Sequence, residues 1–410
     1  MAARVPDVRG AMVRDESVRK IEAKVRAALN ERTETDEPDD VIRGAIVSIV
    51  MSMEETAHMG LIGKVGLIDG IFASIRGMDA LQPLMDDGEV TEVMVNGHDS
   101  VFVGKGGMMQ GTDVRFDSRE RYEDLIHKVV SGVNRVVNES SPIVDARLPD
   151  GSRVSVVMPP VALAGPYMTI RKFPKDPLTM GQLVALGTLT QECAEFMGGV
   201  VACGYNVFVS GGTGSGKTTF LNVLAGYIPP HERVITIEDS AELQIRSVPN
   251  VVRMETKNAN TQGTGEIGMQ ELIKASLRMA PNRIIVGECR GSEAFSMLQA
   301  MNTGHDGSLS TGHANSARDM LGRLETMVLA GCSYPLDAIR RQIASGIEII
   351  VHLAKSSGGR RLVMEIDELV GPGQGSFELN PLFERDEAGE LVRTKNGVIK
   401  RKRGFGQGGD

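Results

Sequence analysis

The chain has 410 residues, with 45 Lys+Arg against 53 Asp+Glu and a formal net charge of −8. That balance, with 4% aromatic residues and no tryptophan, argues against a dedicated nucleic-acid binder, which needs a basic footprint and base-stacking rings. A hydrophobic content of 41% excludes global disorder, and the length suggests about two to three domains.

Residues 1–79 read as an N-terminal helical region. Val18, Ile21, Val25, Ala28 and Leu29 form a helical stripe, and an acidic, proline-bearing run from Glu31 to Asp40 reads as a linker. Residues 41–53 and 64–76 are two further apolar helices, and His58 stands alone as a surface residue. From about residue 88 polar and apolar residues alternate around Asn96-Gly97 and Gly106-Gly107, which are hairpin signals. A helix over 118–131 and a second hairpin turning at Pro149-Asp150-Gly151-Ser152 complete an α+β domain over 80–171.

Residues 172–180, with Pro174 and Pro177, read as a hinge. From 181 to 370 helix, strand, glycine loop, helix and strand alternate, which implies a parallel sheet. From 371 to 410 the chain turns polar and ends in Lys400-Arg-Lys-Arg403-Gly, read as a solvated tail. The uncharged stretch 196–216 is glycine-dense and contains Asn206, Ser210 and Thr213, so it reads as helix end, buried strand and loop, not as a membrane span. The N-terminus lacks the apolar core of a signal peptide. Any membrane role is therefore expected to go through partners. Cys193, Cys203, Cys289 and Cys332 suit neither a zinc ribbon nor a disulfide framework and read as small buried hydrophobes.

The chemistry concentrates at Gly211, Gly212, Thr213, Gly214, Ser215, Gly216, Lys217, Thr218 and Thr219, which complete the pattern G-x-x-x-x-G-K-[ST] between a strand-like run and a helix. Glycines let backbone N–H groups turn around phosphates, and the helix N-terminus adds positive charge. Lys217 then reaches the β and γ phosphates, and the Thr218 hydroxyl completes a Mg²⁺ shell. The apolar run 233–237 empties into Glu238-Asp239, and 283–287 empties into Glu288, so both offer acids at the ligand edge of a parallel sheet. Asp239 reads equally as a helix N-cap. His305 and His313 flank a short strand-like segment. They lack a third metal ligand nearby, and a polar pair reading the γ-phosphate fits better.

Taken in order, GGTGSGKTT, ITIEDSAEL (an "Asp box"), RIIVGECRGSEA (a Walker B with Glu alone) and TGHDGSLSTGHANS (a "His box") resemble the type II and type IV secretion ATPase superfamily. VMVNG at 93–97, VDARLPDGSRV at 144–154, TIRKF at 169–173 and MLQAMNTGHDGSLSTGHAN at 297–315 resemble its CpaF/TadA-type branch, which drives Flp-type pilus assembly. The resemblance spans about residues 80–370. It implies a RecA-like P-loop core, a PAS-like N-terminal domain, ATP and Mg²⁺ as cofactors, and a cytoplasmic hexamer recruited by inner-membrane platform proteins. The net charge and scarce aromatic residues, in turn, lead to the expectation of no nucleic-acid partner.

The resemblance also implies roles. Lys217 and Thr218 hold phosphate and metal, and Glu238 and Glu288 position water and metal. His305 and His313 sense the γ-phosphate, with His313 in the catalytic set, and Arg147, Arg153 and Arg171 are candidates to reach the nucleotide. Two positions depart from the pattern: Cys289 where Val is expected, and Gly312 where a larger apolar residue is expected. A type IV secretion traffic ATPase moving protein or DNA shares every motif. Retention of both glutamates argues against a non-hydrolysing scaffold, and a GTPase would need an N-K-x-D motif that the chain lacks.

Overall fold

The computed structural model describes residues 16–30, 37–174, 176–257, 264–373, 375–395 and 397–401. The linker residues 31–36 and the basic end beyond Arg401 lie outside them. The chain divides at Pro174/Lys175 into two units.

The first unit begins with three helices, α1 (Glu16–Asn30), α2 (Asp39–Ser52) and α3 (Leu61–Ile75). Their apolar stripes meet in one core, with Val25 of α1, Ile46 of α2 and Ile71 of α3 fully buried. Asp39 and Asp40 in the first turn of α2 complement the positive end of that helix. A short α4 (Gln82–Asp86) leads into β1 (Val90–Val95), β2 (Val101–Lys105), β3 (Met108–Gly111), α5 (Arg119–Ser131), β4 (Ile143–Arg147), β5 (Arg153–Val157) and β6 (Tyr167–Arg171). The strands form one antiparallel sheet ordered β3-β2-β1-β6-β5-β4. Ser118 caps α5, which buries Tyr122, Leu125, Ile126 and Val130 in a core shared with the sheet. Arg121 of α5 binds Glu22 of α1 at 3.1 Å and Asp79 at 2.6 Å, so ion pairs link the helical region to the α+β part.

The second unit runs α6 (Met180–Ala185), α7 (Gln191–Ala202), β7 (Val207–Gly211), α8 (Lys217–Ala225), β8 (Arg233–Glu238), β9 (Asn250–Glu255), α9 (Met269–Ser276) and β10 (Arg283–Val286). It continues through α10 (Glu293–Met301), β11 (Leu309–Gly312), α11 (Ala317–Gly331), α12 (Leu336–Gly346), β12 (Ile349–Lys355), β13 (Arg361–Pro372), β14 (Phe377–Arg385) and β15 (Leu391–Arg393). Among the described residues the sheet order is β15-β14-β13-β12-β7-β11-β10-β8-β9. From β12 to β9 every neighbouring pair is parallel.

Strands covered on both faces read as near-continuous apolar runs, as β7 (VFVSG) and β10 (RIIV) do. Val207 and Val209 face a core with α7 and α8, while Phe208 faces the opposite core with α10 and α11. No helix among the described residues is long and apolar enough to cross a membrane.

The polar tail expected from residue 371 takes a different form. β14 and β15 extend the sheet by antiparallel pairing, and Phe377, Leu382, Phe383 and Leu391 are buried. Glu368, fully buried, accepts from the N–H groups of Lys400 and Arg401 and so seats the last described residues against the sheet. The apolar residues of this segment are spaced along edge strands among charges, which hid the strand pattern in a polar average.

Candidate nucleotide site

The phosphate-loop motif occupies the turn from β7 into α8, at the carboxyl edge of the parallel strands. Gly214 and Gly216 have φ of 71° and 96°, the left-handed region that glycine adopts without strain. Gly216 caps α8, and Lys217 is the first residue of that helix. At Gly211 an added Cβ would stand 2.4 Å from the Leu353 carbonyl oxygen, so the strand end tolerates no side chain.

The Lys217 side chain is buried, and its Nζ donates to the carbonyls of Gly211 at 3.1 Å and Gly212 at 2.9 Å. Burial lowers its pKa below the ordinary lysine value, opposed by the Glu288 charge. Ser215 Oγ is buried and has no hydrogen-bond partner among the described residues. A lysine resting on its own loop carbonyls and one imidazole, with an orphaned hydroxyl nearby, offers groups that a bound phosphate would satisfy. The loop therefore fits a phosphate group.

His313 follows β11 and connects the loop to the acid. Its Nδ1 lies 3.4 Å from Lys217 Nζ and its Nε2 lies 2.8 Å from Glu288 Oε1. Burial and the Lys217 charge lower the His313 pKa, with Glu288 acting against them, so the imidazole is neutral at neutral pH. Glu288 in turn pairs through Oε2 with Arg290 at 3.1 Å, and Arg290 lies 3.5 Å from Asp239. Arg290 lies within the RIIVGECRGSEA motif, which by itself assigns it no role. The signal available was a charge two residues beyond Glu288 in an otherwise small-residue turn.

Glu238 reaches the same edge but faces differently. Its Oε1 accepts from the N–H groups of Glu242 at 2.9 Å and Leu243 at 3.1 Å, so it holds the turn after β8. Gly287 is small enough to let it pass, since a Cβ there would stand 2.9 Å from Glu238 Cγ. No group of three or more Asp, Glu, His or Cys side chains among the described residues is arranged to hold a metal. Mg²⁺ binds with phosphate oxygens and only one or two protein ligands. The Thr218 hydroxyl on the first turn of α8 and the Glu288 carboxylate fit that sparse demand. The backbone-engaged carboxylate of Glu238 fits it less well.

His305 is separated from the loop, contrary to its expected role beside His313. The β11–β7 register pairs Leu309 with Val207 and Gly312 with Ser210, so β11 begins where β7 begins and ends where the loop starts. His305 precedes β11, at the opposite edge, and its Nδ1 lies 3.2 Å from the Ala300 carbonyl. Proximity to His313 in sequence concealed a full strand length between them.

The two departures from the family pattern have local causes. A Cβ on Gly312 would stand 2.9 Å from the Met320 side chain and 3.1 Å from Phe208, which fill the space a larger residue would take. The Cys289 thiol is fully buried, with its Sγ 3.3 Å from Met297 Sδ, and burial pushes its pKa up to about 12, so it is an unreactive packing group.

In the first unit, cross-strand register places Arg147 opposite Arg153, Arg153 opposite Arg171, and Arg171 opposite Glu92. The three candidate arginines thus form one row. Arg147 also donates to the Gly151 carbonyl and lies over the Phe173 ring. Glu92 stands at the end of that row. Arg361 at the start of β13 was missed as well. It donates to the Gly214 carbonyl at 3.1 Å and buttresses Gly216.

Residues 76–369 match the family described as type II/IV secretion system protein. The chain belongs to that family. It is 33% identical over 298 residues to a putative conjugal transfer protein of Mycobacterium tuberculosis, covering 71% of this chain and 84% of the relative. It is also 33% identical over 320 residues to the type IV secretion system protein PtlH of Bordetella pertussis, covering 70% and 93%. Among solved structures the pilus retraction motor PilT, with bound ADP, aligns with a TM-score of 0.52 at 20% identity over 71% of this chain and 82% of PilT. The Legionella pneumophila ATPase DotB aligns at 0.51 and 20% identity over 72% and 80%. At that identity the two structures speak to the fold, an α/β architecture shared with secretion ATPases.

Proposed function

We propose that this chain is an ATP-hydrolysing motor of the CpaF/TadA type, with a RecA-like core and a PAS-like N-terminal domain. It works as a cytoplasmic hexamer at the inner face of a membrane platform and powers assembly of a Flp or type IV-like pilus. The observation that carries the hydrolytic part is the chain Lys217–His313–Glu288 at the mouth of the phosphate loop. On arrival of ATP, Lys217 exchanges its loop carbonyls for the β and γ phosphates, where its charge stabilises the transfer. Released from Lys217, His313 stays against Glu288 and reports the γ-phosphate to α11. Glu288 orients the attacking water. Thr218 and Glu288 would hold a Mg²⁺ ion, which would offset phosphate charge. By the family resemblance, Arg147, Arg153 and Arg171 are candidates to reach the nucleotide.

A traffic ATPase of a type IV secretion system is the second reading, favoured by the relatives named for conjugal transfer and type IV secretion. Co-purification with pilus-platform proteins rather than a secretion channel separates the two. The hydrolytic reading is tested on purified chain with Mg-ATP. Glu288→Gln should retain nucleotide affinity and lose turnover by about 10²-fold or more. Loss of ATP affinity in step with rate would sink the division of labour between loop and acid. Light scattering with Mg-ATP that finds only monomer would remove the ring.

A further inference from the structure

β12 reads IIVHLAK, an apolar strand interrupted by one imidazole. His352 is buried, as are its neighbours Ile350, Val351 and Leu353. An aliphatic residue would pack there without a polar atom to satisfy, so the ring nitrogen needs a reason. The register supplies one. His352 faces Ser210 of β7 on one side and Glu365 of β13 on the other. His352 Nδ1 lies 2.9 Å from Ser210 Oγ, and Ser210 is fully buried. The next residue, Gly211, offers the carbonyl on which Lys217 rests. Glu365 accepts from the N–H of Ala317 at 2.7 Å, the first residue of α11, four residues after His313.

We propose that His352 is a positioning residue of the phosphate loop: through Ser210 it holds the strand end where Lys217 rests, and it stands in the cross-strand row that ends at the start of α11. The inference rests on the hydrolytic reading above and extends it to residues that touch no nucleotide.

The Ser210 hydroxyl carries one hydrogen and has two acceptors in reach, His352 Nδ1 at 2.9 Å and the Val351 carbonyl at 3.3 Å. In the neutral tautomer with its proton on Nε2, Nδ1 accepts the serine hydrogen. With an imidazolium Nδ1 becomes a donor, and the hydroxyl turns to Val351. The groups acting on the ring are Glu365 from β13 and Asp319 from α11, which favour its charged form. Lys217 from α8 and burial itself disfavour that form, and burial is the largest influence. The pKa is therefore lowered and the working form is neutral. Acidification places a second cation near Lys217 and reverses the serine bond.

The test uses full-length chain and Mg-ATP. His352→Leu should lower kcat by about tenfold or more, with KM within about twofold, because misplacing the lysine's support harms transfer more than capture. His352→Asn keeps a polar atom near Nδ1 without a titrating proton. It should retain most turnover at neutral pH and show a weaker acid fall-off than the parent. Ser210→Ala combined with His352→Leu should lose little beyond the worse single change, since both break one contact.

Wild-type kcat in His352→Leu would overturn the inference, as would an unchanged acid limb in His352→Asn or fully multiplicative losses in the double variant. Turnover that survives Lys217→Ala would sink the hydrolytic reading itself. Lys217-dependent turnover with a silent His352→Leu sinks this inference alone.

Discussion

The two edges of the parallel sheet in the second unit both carry polar groups out of full solvent contact but satisfy them differently. At the edge where the strands begin, Asn206 gives every polar atom a fixed backbone or carboxylate partner. Its N–H goes to Glu348 at 2.9 Å, its Nδ2 to the Gly346 carbonyl at 2.7 Å, and its Oδ1 accepts from Ser308 at 2.9 Å. Arg283 there pairs with Glu232 and donates to the Val201 carbonyl. At the edge where the strands end, Lys217 leans on its own loop, Ser215 Oγ has no partner among the described residues, and His313 stands between a cation and an anion. The first network uses its hydrogen-bonding capacity within the fold. The second holds capacity in reserve for a ligand.

If that contrast is right, the two edges respond to mutation in opposite ways. Arg283→Ala removes a buried guanidinium from the part-buried Glu232 and the Val201 carbonyl and should cost about 3–5 kcal/mol of stability by urea unfolding. Turnover per folded molecule should stay close to the parent's. Lys217→Ala should do the reverse. Turnover falls by about 10²–10³-fold, while the melting temperature holds or rises because a buried ammonium is gone. A large loss of stability in Lys217→Ala would erase the distinction between the edges.

A pH-dependent effect sharpens the comparison at the antiparallel margin of the same sheet. Burial, reinforced by Glu365 and Glu384, pushes the Asp367 carboxyl up to about 7. In an unfolded chain it titrates near about 4. Between these values the folded chain keeps a proton that the unfolded chain has released. Asp367 therefore makes stability fall as pH rises through that window, by at most about 1.4 kcal/mol per pH unit, with no further change above it. Asp367→Asn should flatten this slope in melting curves taken across the window, and an unchanged slope would assign it to other groups.

The phosphate loop, Glu288 and His313 were legible in the sequence because each is a local event, a glycine pattern or an acid closing an apolar run. The hairpin turns at Asn96-Gly97 and at 149–152 were legible for the same reason, since positive φ at Gly97 and Gly151 selects the residue type. Arg361 and His352 were not legible, because each acts through a partner set by folding, Gly214 for Arg361 and Ser210 for His352. Arg290 stands two residues from Glu288, and folding adds its second partner, Asp239.

The same division explains the two readings that changed. His305 and His313 lie eight residues apart in a histidine-bearing run, and only the direction of β11 puts them at opposite edges of the sheet. The segment 377–393 is polar on average, and only the open edge of β13 turns it into strands. Sequence alone determined the residue types that a phosphate loop and its acid require, because backbone geometry at a turn selects them one at a time. Tertiary structure decided which carboxylate faces the loop, which histidine reaches it and where the arginines align. Strand register, a relation between distant segments, sets those distances.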